Sequence, residues 1–129
     1  MTPRFAVVEI LVADMARSLA FYRELGLALP ASADAEPHVE HELPGGLKLA
    51  WDTEATVASF TPDFTPPTSR GRISLAFQLD TPAEVDELHD RLVGLGHKSE
   101  LTPFDAFWGQ RYAVVEDPDG NGIDLFATR

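Results

Sequence analysis

The sequence predicts an α+β domain made of a duplicated unit, each copy a strand, a helix and further strands. Three observations predict it. The 129 residues are the size of one ordinary domain. Apolar residues at helical spacing occur twice, between Asp14 and Gly26 and again between Asp80 and Gly96, each time after a strand pattern. A proline-rich stretch, 61–71, lies between the two copies. A period of half the chain excludes a solenoid, which needs at least about three repeats.

The first copy opens with an expected strand at 5–12. Val8, Ile10 and Val12 would point to one side, and Val7, Glu9 and Leu11 to the other. Asp14 reads as a helix N-cap and Gly26 as the glycine past the helix end. Leu19, Tyr22 and Leu25, with Ala16 and Phe21 nearby, make the apolar helix face. Two weaker strands, 39–42 and 47–51, are joined by the turn signal Pro44-Gly45-Gly46. The three prolines of 61–71 forbid a helix or a central strand there.

The second copy repeats the order. Residues 73–79 alternate Ile73, Leu75, Phe77 and Leu79 with Ser74, Ala76 and Gln78. Thr81-Pro82-Ala83-Glu84 is a capping box with proline at the first helical position. Val85, Leu88, Leu92 and Leu95 are the expected buried helix face, and Gly96 ends the helix. Strands at 112–116 and 123–126 flank the turn Asp117-Pro118-Asp119-Gly120-Asn121-Gly122, whose residues suit a hairpin on local grounds alone. The expected organisation is a single domain, 1–129, with module one at 1–60, a linker at 61–71 and module two at 72–129.

One helix covers one face of each sheet, so the other face must meet something else. That face carries Glu9, Ser74, Gln78 and Asp124 among apolar residues. A dry core disfavours such groups, because each unpaired one costs about 1–3 kcal/mol. A half-polar surface facing a small molecule is the expectation.

Composition excludes several classes. The chain has no cysteine, which removes disulfide frameworks, thiolate metal sites and cysteine nucleophiles. Its net charge of −11 argues against nucleic acid and anionic membranes and suits cationic partners. No apolar run reaches the ~20 residues of a membrane span. Met1-Thr2-Pro3-Arg4 does not open a signal peptide, so a cytoplasmic protein is expected.

The motifs, taken in order, resemble a known family. Phe21-Tyr22-Arg23-Glu24-Leu25-Gly26, then Trp108-Gly109-Gln110-Arg111 and Asp117-Pro118-Asp119-Gly120-Asn121, are similar to the signatures of the vicinal oxygen chelate superfamily. That superfamily includes glyoxalase I, extradiol dioxygenases, fosfomycin-resistance enzymes and bleomycin-resistance proteins. The resemblance covers essentially the whole chain. It implies two βαβββ modules forming a half-open barrel around a cavity, and a homodimer. It also implies metal-ligand positions at Val7, at Lys48 or Ala50, at Ser74 and at Asp124. Only Asp124 is a good donor, whereas catalytic divalent sites want about three protein ligands from His and carboxylate. The chain therefore looks closest to the metal-free, bleomycin-resistance-like branch, whose members hold a drug between two subunits, with no cofactor.

The candidate ligand-binding residues are Glu9, Lys48, Trp51, Ser74, Gln78, Phe104, Phe107, Trp108, Tyr112, Asp124 and Phe126. Aromatic rings supply stacking surface and a few polar groups give orientation. Trp51 fits a core or interface position equally well. Phe104 and Phe107 are expected in a loop at a pocket rim. Glu9 and Asp124 are the candidate catalytic carboxylates, with Glu9 alternatively in a buried ion pair with Lys48 or Arg111. Asp52 and Asp105 are further carboxylates that a cavity could use. His38 and His41, three apart in a strand, should face opposite sides. His89 and His97 are expected to be solvated.

Three functions follow. The first is a small-molecule binder, cationic or aromatic ligands being favoured, with antibiotic sequestration as the specific form. The second is a metal-independent lyase or isomerase using Glu9 or Asp124 as general base on a carbonyl compound. The third is a metalloenzyme, such as a dioxygenase acting on an aromatic compound, with a displaced ligand set.

Overall fold

A computed structural model describes residues 1–68 and 72–129. The last three residues of the expected linker, 69–71, lie outside the described residues. The chain divides into two compact units, Met1–Thr68 and Ser69–Arg129.

The first unit begins with β1 (Val7–Val12) and α1 (Met15–Glu24). The strand starts two residues later than its apolar pattern suggests. The Asp14 carboxylate accepts the Arg17 amide at 3.0 Å, capping α1 as expected. Gly26 lies at φ +93°, a conformation that disfavours any side chain. α1 buries Met15, Ser18, Leu19, Phe21 and Tyr22. β2 (His38–Glu42) and β3 (Lys48–Thr53) follow. The sheet order is β1-β3-β2, with β1 parallel to β3 and β2 antiparallel to it.

Two short pieces of this unit had no periodic signature to announce them: a 3-10 turn at Ala31–Ala35 and α2 at Glu54–Ala58. Arg23 holds the segment before and within the turn. It donates to the Leu29 carbonyl at 2.7 Å and pairs with Asp34 at 2.8 Å. The implied βαβββ order is corrected here. Two strands follow α1, then α2, so the sheet has three strands among the described residues.

The second unit is the full βαβββ arrangement: β4 (Ser74–Gln78), α3 (Pro82–Gly94), β5 (Ser99–Ala106), β6 (Gln110–Glu116) and β7 (Gly122–Thr128). Its order is β4-β7-β6-β5, with β4 parallel to β7 and the other pairs antiparallel. The capping box is present. Thr81 Oγ1 accepts the Glu84 amide and Glu84 Oε2 accepts the Thr81 amide, both at 3.3 Å. Ile123, Leu125, Ala127, Ala113 and Val115 are buried under α3 with Val85, Leu88 and Leu92. Arg111 on β6 reaches the same side and donates twice to Asp86 of α3, at 2.8 and 2.9 Å.

Several expectations for this unit are corrected. β5 carries Pro103 and no apolar alternation. It survives as a strand because it is an edge, bonded among the described residues only to β6, with two register shifts. Phe104 therefore belongs to a strand and not to a loop. Ile73 precedes β4 and is 82% exposed. Leu95 is the residue at which α3 ends and is 56% exposed, so the apolar face stops at Leu92. His89, expected in solvent, is buried and shares a 2.7 Å hydrogen bond with Ser99 Oγ. Both sheets are open, giving a mixed α+β protein with one three-stranded and one four-stranded sheet. Among the described residues no helix is long and apolar enough to cross a membrane.

Candidate functional site

In the second unit, strand alternation decides which side chains leave the α3 side. Ile123 and Leu125 point under the helix, so Asp124 and Phe126 point away. Register then carries the assignment across the sheet. Ala76 and Val114 stand opposite Asp124, and Gln78 and Tyr112 stand opposite Phe126. Ser74, Gln78, Tyr112, Asp124 and Phe126 thus share the helix-free face.

At the middle of this face Asp124 Oδ2 accepts two hydroxyls. One is Tyr112 Oη, in a short hydrogen bond, and the other is Ser74 Oγ at 3.3 Å. Burial first, and then the bond to the Asp124 carboxylate, push the Tyr112 phenol up to about 12. The phenol therefore stays a proton donor at neutral pH. Ser74, Tyr112 and Asp124 open on a hollow of about 370 Å³, which Arg72, Glu100 and Gly122 help to line. Arg72 and Glu100 were not foreseen. Glu100 could not be placed on a face while β5 went unrecognised.

Tyr112 also ends a run of aromatic rings. Phe104, Trp108 and Tyr112 contact one another with centroids 5.3–6.4 Å apart and planes at 75–88°. Phe107 packs edge-on against Trp108 at 5.0 Å and is itself 96% exposed at the tip of the β5–β6 hairpin. Trp108 Nε1 donates to Gln110 Oε1 at 2.7 Å, which fixes the indole while leaving it 49% exposed.

The first unit holds the remaining candidates. Glu9 is exposed on β1, and the alternative of a buried ion pair is corrected: Lys48 pairs with Glu40 at 3.2 Å and Arg111 with Asp86. Trp51 is fully buried on the α1 side of β3, edge-on to Tyr22 at 5.3 Å. Of the alternatives open to it, the core is where it sits. Asp52 shares a 2.5 Å contact with His38, which also meets Glu40 at 3.0 Å. Hydrogen bonds to Glu40 and then Asp52 raise the His38 pKa above its ordinary value. Asp105 meets Arg111 at 3.2 Å and Arg129 at 3.3 Å. Asp52 and Asp105 thus already have cationic or hydrogen-bonding partners. His38 stands opposite Asp52 and His41 opposite Leu49, on opposite faces as their spacing required.

The donor set does not fit a bound divalent metal. The positions the resemblance points to hold an alkyl group, an ammonium or a methyl, a hydroxyl and one carboxylate, at Val7, Lys48 or Ala50, Ser74 and Asp124. One oxygen of that carboxylate is occupied by two hydroxyl donors. Among the described residues no three His, Asp or Glu side chains come together as a metal site would require.

The sequence profile of the Glyoxalase/Bleomycin resistance protein/Dioxygenase superfamily matches residues 4–125. No curated protein matches the chain. Solved structures similar to it include a glyoxalase-related enzyme from Fulvimarina pelagi, with TM-score 0.79 and 20% identity over 98% of this chain and 89% of that one. A glyoxalase/bleomycin resistance protein/dioxygenase family enzyme from Burkholderia phytofirmans PsJN gives TM-score 0.77 and 20% identity, over 98% and 100%. A glyoxalase/bleomycin resistance protein/dioxygenase from Nocardioides gives 0.73 and 24%, over 99% and 85%. At these identities the likeness is one of fold.

Proposed function

The chain belongs to the glyoxalase/bleomycin resistance protein/dioxygenase superfamily, and from that premise we propose that it is a small-molecule-binding protein working without a resident metal. The ligand lies on the helix-free face of the second unit's sheet. One observation carries this reading: Tyr112 joins a cluster of three aromatic rings to a hollow whose polar end is the hydroxyl-bonded carboxylate of Asp124. Stacking surface beside a few fixed polar groups is what small-ligand sites need. Gln78 and Phe126 extend the same face. The specific form we propose is sequestration of an antibiotic by a cytoplasmic homodimer.

Calorimetry against a panel of cationic and aromatic antibiotics tests the reading. A binder should be found, with affinity at least about tenfold lower for Trp108→Leu and for Asp124→Ala. Silence across the panel, or equal affinity in both variants, overturns it.

The Tyr112–Asp124 hydrogen bond also favours a second reading. A protonated phenol beside a carboxylate provides a general acid and a general base within one hydrogen bond, as lyase or isomerase chemistry on a carbonyl compound requires. Among the described residues Glu9, in the other unit, has no such pairing to recommend it. Under this reading Tyr112→Phe abolishes turnover while leaving ligand affinity within a few-fold.

A further inference from the structure

We infer that the ligand is a zwitterion of the α-amino-acid class, with its carboxylate on Arg72 and its ammonium on Asp124 in the hollow of the second unit. The inference rests on the binding reading above and names the chemical class that the site takes. It starts from two opposite charges that line one hollow without pairing. Acidic residues outnumber basic ones 21 to 10 in this chain. Arg23, Lys48, Lys98, Arg111 and Arg129 each meet a carboxylate at 2.8–3.6 Å. Arg72 meets none among the described residues, although Asp124 and Glu100 line the same hollow. Its guanidinium keeps the planar fork of N–H donors that fits a carboxylate bidentately.

The opposite end of the hollow is built from acceptors. Asp124 Oδ2 takes the hydroxyl protons of Tyr112 and Ser74, while Oδ1 accepts no hydrogen bond among the described residues. Each hydroxyl, having donated its proton, keeps oxygen lone pairs for a ligand. A primary ammonium brings three N–H donors. Asp124 Oδ1, Ser74 Oγ and Tyr112 Oη are three acceptors for them, one of them charged.

Charge disfavours the simpler ligands. An anion alone would face Asp124, Glu100 and a chain carrying −11. A cation alone would share the hollow with an Arg72 charge that nothing neutralises. A zwitterion answers both charges at once. Ile73 and Val114 add apolar wall to the same hollow, which suits an aliphatic side chain on the ligand.

The test uses the full chain with L-leucine and two analogues, each lacking one of its charges. These are 3-methylbutan-1-amine, without the carboxylate, and 4-methylpentanoate, without the ammonium. Calorimetry should give leucine binding at least about tenfold tighter than either analogue. Arg72→Gln should bring leucine and the amine to within about twofold of each other, with the affinity for the amine not reduced. Asp124→Asn should do the same for leucine and 4-methylpentanoate. Arg72 is exposed, so its variant should fold, and circular dichroism checks both. Leucine binding no tighter than one of the analogues overturns the zwitterion assignment and leaves the binding reading standing. So does a preference for leucine over the amine that survives Arg72→Gln. The assignment also falls, with binding intact, if all three compounds are silent while a member of the antibiotic panel binds in an Asp124-dependent way. Silence of all three and of the panel overturns both.

Discussion

Trp51 and His38 show two kinds of dependence on surroundings. Trp51 is fully buried against Tyr22, and its Nε1 finds no hydrogen-bond partner among the described residues. Its contribution is therefore packing. Trp51→Ala should lower unfolding stability by about 3–5 kcal/mol in urea titrations, with ligand affinity unaffected except through unfolding. His38 behaves differently, being partly exposed and flanked by two carboxylates. Its raised pKa means that the folded state holds the proton more tightly than the unfolded chain. The stabilisation is present below the unfolded value of about 6.5 and is lost as pH rises through the higher folded value. In NMR titrations the His38 midpoint should lie above 6.5 and move back down in Glu40→Gln. At this grain the sequence was readable where burial followed period, as at Leu19 or Leu92. It was misleading where a polar residue found a private partner, as His89 did in Ser99. No periodicity announces that a histidine ten residues from a serine will meet it.

The helices were legible because their ends carry chemistry. Thr81 and Glu84 satisfy each other's backbone amides, and a sequence motif encodes that exchange directly. Thr81→Ala should cost about 1 kcal/mol, read as a lowered urea midpoint at unchanged slope. The strands were legible in proportion to how much they bury. β1 and β7 pack apolar residues against a helix and alternate accordingly, while β6 buries Ala113, Val114 and Val115 in succession. β5 buries little, bonds among the described residues on one side only and contains Pro103. An edge strand is free of the pattern that announces a central one. This omission also hid the site's geometry. Phe104 and Tyr112 are cross-strand neighbours, and with β5 read as a loop the ring cluster could not be assembled. Asp124 and Ser74 were assigned to one face, but their convergence with Tyr112 on a single oxygen depends on side-chain reach that alternation does not specify.

Over the full chain, the duplication was visible as a repeated order of caps, apolar faces and glycines, and both units show a strand, a helix and then strands. The difference between the units was not visible. Unit one exchanges one strand for α2, and five residues of helix leave no period to detect. Net charge, by contrast, is read directly and has a measurable effect. Eleven excess negative charges repel one another in the compact state. Sodium chloride at about 0.5 M should therefore raise the thermal midpoint by a few degrees, because it shortens the screening length to a few ångströms.

The two tryptophans occupy opposite surroundings, one sealed in the first unit's interior and one half in water beside the hollow. Their fluorescence should consequently separate into two channels. Trp51 should emit to the blue and resist acrylamide, while Trp108 should emit to the red and be quenched. A single native spectrum would then report the integrity of one unit and the occupancy of the other, with no label attached.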